Sequence, residues 1–192
     1  MHVGETIGLA LVLFLGLGVS GYFLTLYNSF VSLKQNVGRA WANIDVLLKQ
    51  RHDEIPKLVN TVEGYMQHER GVFDKLSEAR GALAQARGVA QRAEAESMVT
   101  RALGGLFAVA EAYPDLKANQ SFLQLQARIS DLENQIADRR EFYNDMVTTF
   151  NTRLDQLPDK FVAQWLNYTP AEFFKVADAD RQDVEIHFKM AS

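Results

Sequence analysis

The chain has 192 residues, a formal net charge of −4 and no cysteine. Disulfides, thiolate nucleophiles and zinc thiolate sites are thereby excluded, and the acidic balance argues against a general nucleic-acid binder, which needs a basic face. Only 4 prolines and 12 glycines occur, and few stretches read as strands, so the composition favours an all-α fold with one domain and an anchor.

Residues 1–6 are a short flank without Lys or Arg. Residues 7–26 (IGLALVLFLGLGVSGYFLTL) carry no charge. At about 1.5 Å per residue this run spans about 30 Å, the thickness of a hydrocarbon core. A cleaved signal peptide would show a basic flank, a shorter apolar run and a small-residue cleavage site. None of these is present, so the run reads as a retained transmembrane helix. Gly4 and Gly8, Gly16 and Ser20, and Gly21 and Thr25 are small residues four apart. They are either a packing face for another membrane helix or the ordinary glycine content of such helices. Lys34, Arg39, Lys49 and Arg51 follow the span and no basic residue precedes it. Basic flanks stay cytoplasmic, which predicts an external N-terminus.

Beyond the span, Tyr27, Phe30, Val37, Trp41, Ile44, Leu48, Ile55, Leu58, Val62 and Tyr65 recur in steps that fit heptad a and d positions. Lys34 and Arg51 interrupt the series. The phase is the same on both sides of Pro56, which predicts one kinked helix to about Gln67; a second helix starting at Pro56 is the alternative. A short helix follows over about 70–87, with Gly88 as its stop. Another short helix runs from about Arg92 to Tyr113 and ends at Pro114. The last is long: Phe122, Leu125, Ile129, Leu132, Ile136, Tyr143, Met146, Phe150 and Leu157 again fit a and d, with Arg139 and Arg153 as interruptions, and Pro158 closes it. Two helices of about forty residues and two of about half that length predict an antiparallel, up-down four-helix bundle over residues 27–157. Residues 158–192 form a tail, aromatic first and then polar, in which Val184, Ile186 and Phe188 alternate like a short strand.

Several segments of this series resemble the LemA family of bacterial membrane proteins. They are Tyr27-Asn28, Ala40-Trp41-Ala42-Asn43-Ile44-Asp45, residues 48–53 (LKQRHD) with 55–59 (IPKLV), Gly64-Tyr65, Glu78-Ala79-Arg80, residues 110–119 (AEAYPDLKAN), and Phe142-Tyr143-Asn144-Asp145 with Phe150-Asn151-Thr152-Arg153. The resemblance covers nearly the whole chain and is weakest after Pro158. It implies a bundle anchored in the bacterial cytoplasmic (inner) membrane by a single pass with its N-terminus outside. It implies no enzyme. One branch of the family is linked to magnetosome formation, and nothing in these residues places the chain in that branch.

No catalytic, cofactor or metal site is legible. The histidines are His2, His52, His68 and His187. None has a second His four residues on, and neither His52 nor His68 follows a Glu at the spacing of di-iron bundles. Gly104-Gly105 lacks the GK[ST] of a phosphate loop. What remains is a non-enzymatic scaffold or adapter that self-associates and meets the lipid bilayer, or also a membrane-protein partner. The alternative is a membrane-remodelling or lipid-organising protein that uses the anchor and the aromatic tail.

If the two long helices are antiparallel and co-terminal, facing residue numbers sum to about 184. That pairs Asp45 with Arg139, Arg51 with Glu133, and Trp41 with Tyr143. Each seam arginine then meets a carboxylate, which offsets the cost of burying it. The tail delivers Phe161, Trp165, Tyr168, Phe173 and Phe174 near the end of the span. Its expected form is a short amphipathic helix on the membrane surface, flanked by Lys160 and Lys175, or a cap on the bundle near Phe30 and Val31.

Overall fold

The structure is a computed structural model that describes residues 2–175; the alternating segment at Val184, Ile186 and Phe188 lies outside them. Six helices follow in order: α1 His2–Val62, α2 Arg70–Gln85, α3 Gly88–Ala110, α4 Pro114–Lys117, α5 Gln120–Asp155 and α6 Asp159–Trp165. No strand occurs among the described residues.

Two solvents are written into α1. Side chains 4–25 are all exposed, and the helix contains one stretch long and apolar enough to cross a membrane. From Phe30 the pattern turns one-sided. Ile44, Leu48, Arg51, Ile55, Leu58 and Val62 are buried in alternating steps of four and three, the stripe of a helix with one face in a core. Pro56 lies inside this single helix. It removes one backbone donor, but Ile55 and Leu58 on either side keep the stripe in phase, so packing holds the helix together across the defect. The helix stops at Val62, short of Gln67, where the amides of Tyr65 and Met66 both turn back to the Val62 carbonyl.

The boundary between α2 and α3 falls earlier than the sequence pattern suggests. Ala86 and Arg87 are extended, and Gly88 opens α3 rather than closing α2. Gly88 sits at φ +76°, a left-handed backbone that a Cβ disfavours. The Arg87 amide donates to Gln91 Oε1 at 2.9 Å, which fastens this turn to the new helix. Pro114 also starts an element: it is the first residue of α4, where a missing N–H costs nothing. Asn119 caps α5 by accepting the Phe122 amide at 3.1 Å.

The chain forms two compact units. The first comprises residues 2–43 and 141–171. Its core is Phe30, Phe150, Leu154, Val162 and Ala163, with Leu26, Leu33, Val37 and Tyr168 around it. The second comprises residues 44–140 and 172–175. There Ile55, Leu58 and Val62 of α1 join Leu76 and Ala79 of α2, Val99, Leu103 and Leu106 of α3, Leu116 of α4, and Phe122 and Ile129 of α5 in one core.

Two glycines should respond with opposite sign. Gly88→Ala forces a Cβ into the left-handed region and is expected to destabilise the fold by about 1–2 kcal/mol. Gly104 lies within α3 with nothing within 4 Å of where a Cβ would stand, so Gly104→Ala should stabilise by about 0.5–1 kcal/mol through helix propensity. Thermal unfolding of the detergent-solubilised chain, followed by circular dichroism, measures both; equal shifts of the same sign would contradict this account.

Candidate functional site

In the second unit the buried stripe of α1 contains one charge. Arg51 is 1% exposed, at a position where its neighbours along the stripe are Leu48 and Ile55. Its guanidinium is shared between two carboxylates: Nη2 donates to Glu96 of α3 and Nη1 to Glu133 of α5. Nη1 also donates to Thr100 Oγ1 at 2.8 Å. A planar fork with several donors suits such bridging better than an ammonium would. Glu96 is itself 4% exposed. Burial pushes its carboxyl above the usual range against the charge and hydrogen bond of Arg51; Arg92 also pulls it down, and Glu133 adds to the rise. A cavity of about 240 Å³ adjoins the cluster, lined in part by Arg51, Glu96, Thr100, Glu133, Arg140 and Phe174. Among the described residues no three His, Cys, Asp or Glu side chains gather as a metal-binding group.

The structure brings together two of the three facing pairs that antiparallel register suggests. Arg51 meets Glu133, and within the first unit Trp41 lies 5.6 Å from Tyr143 between ring centroids. Asp45 and Arg139 are not a pair. Asp45 faces Arg92 of α3 at 2.6 Å, and Arg139 is exposed. The reason lies in the periodicity of α5. Its buried residues run Leu132, Ile136, Tyr143, Val147, Phe150 and Leu154. With 3.6 residues per turn, a strict heptad drifts around the helix. Between Ile136 and Tyr143 the drift turns Arg139 outward and leaves Arg140 half-buried. Val147 and Leu154 accordingly take the buried places expected of Met146 and Arg153. Glu96, the most buried partner of Arg51, had no signal in the heptad pattern, because the Ala-rich start of α3 has few large apolar residues to mark its inner face.

The aromatic tail divides. In the first unit α6 presents Val162 and Ala163 to the core, while Phe161 and Trp165 are exposed on the other side. Trp165 packs edge-on against Phe23 and Tyr27, at 5.6 and 6.3 Å. Tyr168 does not share their face. Asn167 adopts φ 53°, and the Tyr168 amide returns to the Ala163 carbonyl at 3.0 Å, a left-handed helix end of the kind Asn tolerates. Tyr168 is thereby turned inward onto Phe30 and Phe150, with the Lys34 ammonium 4.3 Å from its ring centroid. Asn151 holds the segment after α6 by a two-point clamp, bonding both the amide and the carbonyl of Ala171. Phe173 is exposed, and Phe174 is buried in the second unit. Lys160 is paired with Asp155 at 3.8 Å, and Lys175 is exposed. Tyr168 is half-buried against the core of the first unit and Phe174 is buried, so neither is a surface aromatic, because the helix ends at Trp165.

In the span, Gly4, Gly8, Gly16, Ser20 and Gly21 are all exposed, and no atom outside the local helix lies within 4 Å of a Cβ built on any of these glycines. Ser20 and Thr25 satisfy their hydroxyls on the Gly16 and Gly21 carbonyls, at 2.8 and 3.0 Å, so neither needs water or a partner for its donor.

Comparison with known proteins adds a family. The sequence profile of the LemA family matches residues 40–188. The chain is similar to Protein LemA of Metamycoplasma hominis, 27% identical over 82% of this chain and 73% of the relative. It is also similar to Magnetosome protein MamQ 2 of Paramagnetospirillum magneticum, 25% identical over 86% of this chain and 72% of the relative. Magnetosome protein MamQ of Magnetospirillum gryphiswaldense is 23% identical over 77% of this chain and 64% of that relative.

Removing Arg51 alone strands Glu96, so Arg51→Met should cost about 3–5 kcal/mol, and adding Glu96→Gln to it should recover part of the loss. The pH dependence has a definite sign. A folded carboxyl held above its unfolded value near 4.5 keeps a proton that the unfolded chain has released. Its stability contribution is complete below that value and is lost as pH rises through the folded pKa. Unfolding measured across that window should therefore show the native chain losing stability relative to Glu96→Gln as pH increases; a relative gain would refute the assignment.

Proposed function

This chain belongs to the LemA family, and on that premise we propose that it is a non-enzymatic scaffold or adapter of a bacterial cytoplasmic membrane, in which α1 anchors an antiparallel four-helix bundle and copies associate through the span. One observation carries the reading. Side chains 4–25 of α1 are exposed throughout, whereas the remainder of the same helix buries a continuous stripe. A helix whose apolar length has almost no other part of its own chain against it offers that length to lipid and to other membrane helices. Small residues at four-residue spacing let a second backbone approach closely, where packing rather than hydrophobicity drives association. The cluster around Arg51 supports the scaffold reading from the other side. Two carboxylates from different helices are held on one guanidinium, which suits a positioning role for α1, α3 and α5.

The basic residues Lys34, Arg39, Lys49 and Arg51, all on one side of the span, support an N-terminus outside and the bundle in the cytoplasm, and the exposed span supports a membrane protein or a second copy as partner. A second reading, lipid organisation, is favoured by the exposed Phe161 and Trp165.

The absence of native cysteine makes single-cysteine variants clean reporters. In intact cells His2→Cys should react with an impermeant thiol reagent and Gln85→Cys should not; the reverse pattern would invert the topology. Gly8→Cys and Gly16→Cys should yield crosslinked dimers in native membranes, and Gly16→Leu should lower the yield at Gly8→Cys. Single-step photobleaching of every labelled spot, together with no crosslink at any span position, would remove self-association from the proposal.

A further inference from the structure

Phe161 and Trp165 stand one turn apart on α6 and are 67% and 64% exposed, and Leu157, in the turn before α6, is 71% exposed. Exposed apolar side chains gathered at the end of a membrane span mark a candidate interaction site. The opposite side of α6 leaves no freedom to bury them by rotation. Val162 and Ala163 are seated in the core with Phe30, Phe150 and Leu154, and Asp159 is held by Arg153 at 2.5 Å. This row is also continuous with the span. Trp165 lies edge-on against Phe23, which belongs to the last turn of the uncharged run, and Tyr22 and Leu24 beside it are exposed too.

From these placements the geometry points to a second membrane contact: Leu157, Phe161 and Trp165 form a seat for the interfacial zone of a phospholipid bilayer, packed directly on the end of the span. The inference rests on α1 crossing the membrane. If residues 7–26 fill a hydrocarbon core of about 30 Å, Phe23 lies about 4–5 Å inside its edge. A ring packed on Phe23 is then at the boundary between acyl chains and headgroups, the level that tryptophan prefers because its body is apolar and its N–H stays near water. Phe161, one turn earlier on α6, and Leu157, in the turn before it, add exposed apolar surface to the contact. Charge does not drive it. Lys160, the basic residue of α6, is already opposite Asp155, and Asp159 is paired internally. The seat therefore recognises the interface of a zwitterionic bilayer as well as an anionic one. With α1 it gives the first unit two contacts on one leaflet, which limits rotation of α1 about its own axis.

The experiment uses full-length Trp41→Phe, in which Trp165 is the only tryptophan, reconstituted into phosphatidylcholine vesicles containing lipids brominated at shallow or deep acyl positions. The expected result is at least about twofold stronger quenching of Trp165 by shallow than by deep bromines, unchanged by high salt. Adding Leu157→Ser and Phe161→Ser, both at exposed positions, should abolish that lipid quenching and open Trp165 to aqueous acrylamide. The seat is overturned if acrylamide quenches Trp165 fully and brominated lipid does not, while the protein stays with the vesicles. It is equally overturned if Trp165 is shielded from both quenchers only at high protein-to-lipid ratio, which would assign the row to a second copy. Release of the protein from the vesicles by alkaline washing would instead refute the span on which the inference rests.

Discussion

A single guanidinium sets the arrangement of the second unit. Arg51 stands where the apolar stripe of α1 demands a leucine or an isoleucine, and it is almost wholly removed from solvent. An isolated charge at such a place would cost several kcal/mol. It is tolerated because α3 supplies Glu96 and α5 supplies Glu133, with Thr100 completing the contacts. The price is specificity of position: sliding either helix by one turn, about 5.4 Å, would leave a buried charge without its partner. The apolar contacts above and below Arg51 tolerate small changes of register far better than the charges do. Packing supplies most of the driving force in this unit, and the cluster selects one alignment from those that packing would permit.

The same logic applies to the acids of the cluster. Its carboxylates are engaged with Arg51, and Glu96 is held toward its neutral form by burial. Groups in that condition stabilise one another. The cavity beside them is small and lined by residues from several elements, consistent with imperfect packing around a polar group within an apolar core.

In the first unit the organising feature is the division of α6 into two faces. Its inner face closes the core around Phe30 and Phe150. The chain then turns at Asn167 and is pinned by Asn151, which directs Tyr168 inward and leaves Trp165 beside Phe23. The exposed aromatics are thus a consequence of a firmly held helix rather than of a loose end.

Much of this was legible in the residue pattern. The uncharged run of residues 7–26 and the one-sided stripe from Ile44 to Val62 across Pro56 follow from the residue pattern along a single helix. The facing of Arg51 by Glu133 and of Trp41 by Tyr143 follows once the two long helices are set antiparallel and co-terminal. Tertiary structure alone decided the rest. Glu96 became the buried partner of Arg51, and Arg92 displaced Arg139 as the partner of Asp45, because α3 begins at Gly88 and its Ala-rich sequence does not advertise which face turns inward. Arg139 turned outward because helical drift accumulates over a helix as long as α5. Tyr168 and Phe174 left the exposed aromatic set because α6 ends at Trp165, and where a short helix ends depends on what its neighbours hold in place.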